Sequence, residues 1–424
     1  MGHASSAKDA DVDLAVVGAG VAGLAAANTA RQLGLSVRVL EAKDRIGGRA
    51  HTVRDAVGRP WDRGCHWLHS AETNPFRSYA DRLGEPYRPG VSPQHIWLGR
   101  RWASETERAA FSAFFARIME SVDTAGDAGR DVPASWALPE GSAWLPLARQ
   151  MLAALAGAEP EGCSTRDTAR YQDGEANWPL ENGFGALVAR WGADAPVTCN
   201  APVHVLDRRG STLRLDTPSG TLRARAAVVT VSTSALAAGA PRFQPALPGR
   251  LAEALDGVPL GGANKVMLSF DRDIFGLGHS FATSLADAPM GFHMQITPFE
   301  RPVVIAHTGG SFATAMEREG PEAMRDRAIS SLRAMFGARV ERHLVDWDTT
   351  AWGGDPHIRG GYSMALPGRS HLRDRLLEPL DARIRLAGEA CAPDAFGTVH
   401  GAHASGLRGA REVAAALGTP GSAK

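Results

Sequence analysis

The sequence predicts an α/β fold of two or three domains, and three observations carry the prediction. Its 424 residues suffice for two or three ordinary domains of about 150 residues each. It opens on a β-type apolar run, Val12 to Val17, then a glycine-rich turn, then an Ala/Leu-rich helix to Leu33 closed by Gly34. After residue 200, short strand-like runs separated by turn pairs are followed by a segment that mixes strands with an amphipathic helix.

The opening unit is read first. Gly18, Gly20 and Gly23 form a GxGxxG turn between strand and helix, and a second strand, Ser36 to Leu40, ends in Glu41. This is the Rossmann-like order. Gly18 allows the tight turn, Gly20 lets a pyrophosphate approach the backbone, and Gly23 lets helix and strand pack closely. The anion then meets the positive end of the helix, and Glu41 stands where such folds hold a ribose hydroxyl pair. A dinucleotide site is therefore expected.

Composition excludes other classes. Lys and Arg together number 46, as do Asp and Glu, so the chain lacks the cationic surplus of a nucleic-acid binder. The longest uncharged apolar stretch, Leu14 to Ala27, contains three glycines and falls short of the roughly 20 residues of a membrane span. No membrane anchor or secretory leader is expected, although Gly2 and Ser6 fit the loose myristoylation pattern. Cys65, Cys163, Cys199 and Cys391 include no CxxC pair, which argues against a zinc ribbon or a dithiol centre and favours a reducing, cytoplasmic home. Only four cations are lysines: Lys8, Lys43, Lys265 and Lys424.

Further along, Arg45-Ile46-Gly47-Gly48-Arg49 sets two glycines between arginines, either a close-approach anion surface or an exposed turn. Asn74 as N-cap with Pro75 at the first helical position starts a helix that Leu83-Gly84 ends. Residues 76–190 read as helical, rich in Ala, Arg and Trp, without period-2 strands. Strands at Pro202 to Asp207, Thr212 to Thr217 and Leu222 to Ala224 form a meander, and Ala226 to Val231 a further strand. Asn264 to Phe270 and Pro302 to His307 are strands, and Pro321 to Phe336 is a helix. Ile384 to Leu386 ends in Gly388-Glu389, and a last helix begins near Thr398-Val399-His400 and is capped by Gly418.

The succession of GxGxxG, Glu41 and Arg45 to Arg49 resembles the FAD-binding members of the flavin-containing amine oxidase family. Gly64 to Pro75, with Trp67, His69 and Asn74-Pro75, resembles the polyamine oxidases within it. The resemblance covers nearly the whole chain. It implies a two-domain flavin amine oxidase fold, with a Rossmann-like FAD-binding domain (10–75, 191–255 and 373–420) and a mixed α+β substrate domain (76–190 and 256–372). Residues 1–9 and 421–424 are expected to be flexible tails.

The same resemblance assigns roles. Gly48, Arg49 and Gly64 would lie along the flavin and pyrophosphate, Val203 against the adenine, and Trp352 under the flavin, with core burial as the plain alternative for Trp352. Gly388 and Glu389 would meet the ribitol or phosphate region, and Val399 at a helix start would face the flavin N1/C2 edge, where the helix dipole favours negative charge. His69 would stand at the mouth of the amine pocket. Lys265 would hold a water near flavin N5, a task for a compact amine that Arg cannot perform; its alternative is a strand-end lysine that reaches water. Tyr362 would offer a π-face to the amine, or pack the core, and Thr398 takes the second cage position, where many relatives carry Tyr. Gly361 stands where some monoamine oxidases attach the flavin through Cys, so FAD is expected to be non-covalent and Cys391 a buried thiol. His400 and His403, three apart, lack a metal context and are expected to pack; no metal is expected.

The chemistry implied is hydride transfer from a neutral amine to flavin N5, hydrolysis of the imine to an aldehyde, and reduction of O2 to H2O2. A polyamine or related alkylamine is the expected substrate, with Asp173, Glu175 and Glu181 as candidates for its remote ammonium groups. Competing readings are an L-amino-acid oxidase, an FAD-dependent desaturase or porphyrinogen oxidase, and a flavin-bound scaffold.

Overall fold

The structure, a computed structural model, describes residues 10–172, 174 and 176–418. The expected tails, the Gly2/Ser6 pattern, and Asp173 and Glu175 lie outside the described residues. The glycine unit folds as read: strand β1 is Val12–Val17, helix α1 is Val21–Gln32 and strand β2 is Val37–Leu40. β1 is apolar because both its faces are covered, and Leu14, Ala15 and Val16 are fully buried. It pairs in parallel with β2 on one side and with Gly220–Val229 on the other.

The sheet around β1 runs Arg242–Gln244, Val205–Asp207, Leu213–Thr217, Gly220–Val229, β1, β2 and Val197–Thr198, with Ile384–Leu386 also on Gly220–Val229. Two expected strands are here one: the meander strand from Leu222 and the apolar run from Ala226 form a single ten-residue strand, Gly220–Val229. Arg225, which separates them in sequence, does not break it, because its guanidinium pairs with Asp13 at the sheet margin (2.8 Å). The first half of that strand carries the meander and the second half carries Ile384–Leu386. Helix Val399–Ala416 returns against α1, so closely that a Cβ on Gly406 would stand 2.1 Å from the Ala22 carbonyl.

A second sheet is ordered Leu344–Thr349, Ala263–Phe270, Val303–Gly309, His293–Ile296, Ser280–Ser284 and Gln94–Trp97. The last of these corrects the reading of residues 76–190 as free of strands: Gln94–Trp97 pairs in parallel with Ser280–Ser284. Its four residues are too few for a period to show. One face of this sheet is apolar, with Val266, Leu268, Met294 and Val304 packed against the Pro321–Phe336 helix through Met324, Ala328 and Leu332. The opposite face carries Lys265, His307, His293 and Phe281 in one part and the apolar Met267, Ile305 and Val303, packed on Trp61, in the other.

Helix Pro75–Leu83 begins as expected: Asn74 Oδ1 accepts from Phe76 N (3.0 Å), and Gly84 closes it in the left-handed conformation. Its Phe76 and Ala80, with Phe184, Leu187 and Val188 of helix Phe184–Trp191, pack in one core with Leu14, Val16 and Leu24. Both helices thus pack on the nucleotide side, although the resemblance had set residues 76–190 in the other domain. Asn74 also donates to the His69 carbonyl (2.8 Å), so it joins a helix start to the His69 loop. Asn74→Ala is expected to cost about 1–2 kcal/mol, read as a lowered midpoint in denaturant unfolding at unchanged slope.

Candidate active site

A cavity of about 530 Å³ lies between the glycine turn and the polar face of the second sheet. The turn supplies Gly20, whose added Cβ would meet nothing within 4 Å, so its backbone is open to the cavity. Gly18 and Gly23 serve the fold instead. Gly18 has φ +99°, and a Cβ on Gly23 would stand 1.9 Å from the Gly18 carbonyl. Gly48, also at positive φ, lies over the Gly20 Cα, while Gly64 has no room for a side chain because the Arg49 carbonyl would be 1.6 Å from its Cβ. Gly388, like Gly20, lines the cavity with open space above it.

Arg49 and Glu389 meet at the cavity wall, Arg49 Nη1 donating to Glu389 Oε1 (2.9 Å) and to the Gly361 carbonyl (2.5 Å). The Glu389 carboxylate is already met by protein, since it also accepts from Ser363 N, Ser363 Oγ and Gly397 N. Burial opposes its charge, but Arg49 and the Ser363 hydrogen bond outweigh that and hold its pKa below the usual carboxylate range. Glu389 thus lines the cavity and at the same time holds Arg49 in place. Among the described residues, Arg49 Nε and Nη2 meet no protein acceptor.

Lys265 lies inside, not at a strand end open to water. It is 8% exposed, lines the cavity, and its ammonium donates to the Asp62 (3.0 Å) and Gly64 (2.5 Å) carbonyls. Burial lowers its pKa to about 8, against the opposing pull of Asp62 and Cys65. Asp62 is itself buried. Its carboxylate takes the Thr52 hydroxyl and the first two amides of helix Phe184–Trp191, so the loop below Lys265 is pinned to that helix.

Tyr362 lines the cavity from another side, and its hydroxyl donates to the Ala154 carbonyl, which fixes the ring. Thr398 also lines it, but its hydroxyl is the N-cap of helix Val399–Ala416, accepting from Gly401 N (3.0 Å) and donating to the Ala395 carbonyl (2.7 Å). A short hydroxyl suits that duty, so at the position the resemblance gives to the second cage residue Thr398 serves as a helix cap. Val399 lies at the cavity, so the positive end of an 18-residue helix faces it. Trp352 is 9% exposed and lines the cavity; its amide N–H and ring N–H are held by Asn264 Oδ1 and the Arg63 carbonyl.

His69 lines the cavity, its Nδ1 2.6 Å from Asn177 Oδ1. Glu41 and Val203 are not cavity residues. The Glu41 carboxylate accepts from Ala19 N in the glycine turn (2.6 Å) and Lys43 N (2.9 Å), and Val203 packs beside the meander core. Glu181 is off the cavity as well, paired with Arg301 (2.9 Å). His403 packs among Phe76, Tyr79 and Trp191, and His400 lies near Asn74. Cys391 is buried, and burial pushes its thiol up to about 12.

The polar sheet face supplies a wall that the sequence reading missed. Lys265, His307 and His293 stand in register on three adjacent strands, and Trp67, Phe281 and His66 complete the wall. Trp67 lies 5.2 Å from the His307 ring, and Phe281 stacks on His293 at 4.7 Å. Burial depresses all three histidines, His293 to about 4 and His307 well below its ordinary value, so the imidazoles of the wall favour the neutral form and Lys265 is its titrating cation. No local pattern could mark it, because the three strands meet only through pairing.

The family model for flavin containing amine oxidoreductases matches residues 21–116 and 137–414. The chain belongs to this family. As a flavin-containing amine oxidoreductase it uses FAD, and the cavity fits that cofactor: two glycines leave backbone room, Arg49 keeps free donors, and a helix N-terminus faces in. Polyamine oxidase 2 of Arabidopsis thaliana is 27% identical over 431 residues, spanning 94% of this chain and 87% of that protein. Polyamine oxidase 4 of Oryza sativa subsp. japonica is 26% identical over 437 residues, with the same coverage. Among solved structures, cyclohexylamine oxidase from Brevibacterium oxydans aligns with a TM-score of 0.81 at 23% identity, over 96% of this chain and all of that one. A redesigned putrescine oxidase aligns at 0.78 and 19% identity, over 95% and 99%. The expected family, fold and cofactor are thus borne out.

Proposed function

We propose that this amine oxidoreductase oxidises an alkylamine at the carbon bearing nitrogen, giving an aldehyde, with O2 as final acceptor and polyamines as the first class to test. The observation that carries the reading is Lys265, a buried amine with a pKa near 8 that shares one cavity with Tyr362 and the glycine turn. FAD, when bound, would supply the hydride acceptor and the redox chemistry by which the electron pair reaches O2 to give H2O2. Gly20, Arg49 and the Val399 helix start would hold it, without a covalent bond, since Gly361 offers no thiol.

The chain's own residues do the remaining work. A substrate ammonium has no lone pair and must lose a proton before its C–H bond can be broken. Lys265 Nζ, near its midpoint at neutral to mildly basic pH, takes up a proton through a water and returns it. Tyr362 and Trp67 present ring faces that orient the amine, and the wall of neutral histidines excludes bulk water without adding charge.

The polyamine body draws support from the relatives and from the His69 segment. A second reading, a monoamine with an apolar body, is favoured by the Trp67, Phe281 and His293 wall and by Glu181 lying off the cavity. Anaerobic mixing with spermine, spermidine, putrescine, N-acetylated polyamines, cyclohexylamine, benzylamine and L-amino acids, following loss of oxidised flavin absorbance, separates these. Rapid bleaching by polyamines is the expected result. Bleaching by cyclohexylamine or benzylamine alone selects the second reading, and bleaching by L-amino acids alone, or by no amine, overturns both.

A further inference from the structure

Arg373 is the largest fully buried side chain among the described residues, at 0% exposure. It lies on the short helix Leu372–Arg375, away from the cavity, and grips both oxygens of Asp167 on helix Thr165–Ala169 (Nε 2.7 Å, Nη2 2.6 Å). The Phe396 ring covers its guanidinium at 4.1 Å. Stability is a poor reason for such a pair, because removing two charges from water costs about as much as their attraction returns. Its third nitrogen gives a better one. Nη1 donates to Ser363 Oγ (2.8 Å) and to the Ala390 carbonyl (3.2 Å).

A serine hydroxyl has one proton. With Arg373 donating to the oxygen, the Ser363 proton is left for Glu389 Oε2, 2.6 Å away. Glu389 then holds Arg49, whose remaining N–H groups lack protein partners among the described residues. Ser363 also follows Tyr362 directly, and its amide donates to Glu389 as well (3.2 Å). One chain of contacts, Asp167 to Arg373 to Ser363 to Glu389, therefore fixes a cavity cation and the segment carrying the cavity tyrosine.

We infer that Arg373 is a positioning residue for the cofactor: through Ser363 and Glu389 it sets the Arg49 guanidinium and the Tyr362 segment in the geometry that binds FAD. This rests on FAD occupying the described cavity. The alternative is that the Asp167–Arg373 pair only fastens two helices together.

The test is a double-mutant cycle on FAD affinity, using Ser363→Ala, Arg373→Lys and the double variant. FAD is removed from each holoprotein and titrated back by its fluorescence, and the thermal midpoint of each apo-protein is measured beside it. Ser363→Ala leaves the buried ion pair intact, so its apo-protein should melt within a few degrees of wild type while its FAD dissociation constant rises about tenfold or more, the worth of a charge-assisted hydrogen bond. Arg373→Lys should weaken FAD comparably, and in the Ser363→Ala background it should add little. Additive losses, or a lowered midpoint with FAD affinity unchanged, would overturn the proposal. If Arg373→Lys does not fold, Ser363→Ala decides alone, and an FAD constant within twofold of wild type sinks the idea. Wild-type protein that fails to take up FAD would instead strike at the cavity assignment itself.

Discussion

Lys265→Met is expected to slow oxidation of a good amine by about a hundredfold or more, the loss typical when a positioned proton carrier is removed. Met keeps the unbranched stem of Lys but lacks the terminal amine, so it neither titrates nor holds a water. Rapid mixing should show the loss in the rate of flavin reduction, of reoxidation by O2, or both, and in wild type that rate should carry an inflection near pH 8 that the variant lacks. The sign of the linked stability change can be worked out. The folded lysine titrates at about 8 and the unfolded one at 10.5, so between these values the unfolded chain binds more protons and stability rises with pH. The contribution amounts to about 3 kcal/mol across that window. It is absent from the Met variant, so the stability difference between the two proteins should move in favour of wild type from pH 8 to 10 and stay constant below pH 8. A difference that does not change with pH would mean that Lys265 is not titrating in a buried site, and unchanged rates would remove it from the chemistry.

Two glycines in the same turn are expected to fail in opposite ways. At Gly20 the backbone is extended (φ −67°, ψ 177°) and an added Cβ meets no protein atom, so Gly20→Ala should fold with an unaltered melting point. The methyl would occupy space that the cofactor needs, and FAD affinity should fall on the order of a hundredfold. Gly23→Ala forces a Cβ to 1.9 Å from the Gly18 carbonyl, and the helix must move off the sheet, at ~3 kcal/mol or more. Calorimetry of the apo-proteins with FAD titration separates the two. A Gly20→Ala apo-protein as unstable as Gly23→Ala would show that both glycines serve packing.

This contrast marks how far the sequence could be read. Local chemistry was legible. The Asn74 cap with Pro75, the closing Gly84, the Pro321–Phe336 helix and the three glycines of the turn each depend on residues a few positions apart, and each folds as expected. Lys265 stood out because a cation in an alternating apolar strand needs a partner. What depends on distant strands meeting was hidden. His307 and His293 become part of the wall only because strand pairing sets them beside Lys265, and nothing near either histidine announces it. The Glu389 reading was incomplete for the same reason: its neighbours in sequence do not reveal that Ser363, Arg49 and Gly397 converge on its carboxylate. Arg373, one arginine among many, had no local signal, since its partner Asp167 lies some two hundred positions earlier.

The shared strand Gly220–Val229 has a consequence for how the protein comes into being. Its first half can pair with the meander, and its second half with β1, as soon as these are synthesised, but the other edge of that second half waits for Ile384–Leu386, and the cavity waits for Gly388, Val399 and the last helix. On a ribosome, where chains emerge from the N-terminus, the glycine turn is made well before its opposing wall. A nascent chain therefore carries an open half-site until the segment from Ile384 through the Val399 helix start has been made, and only then can the cavity be closed around a cofactor.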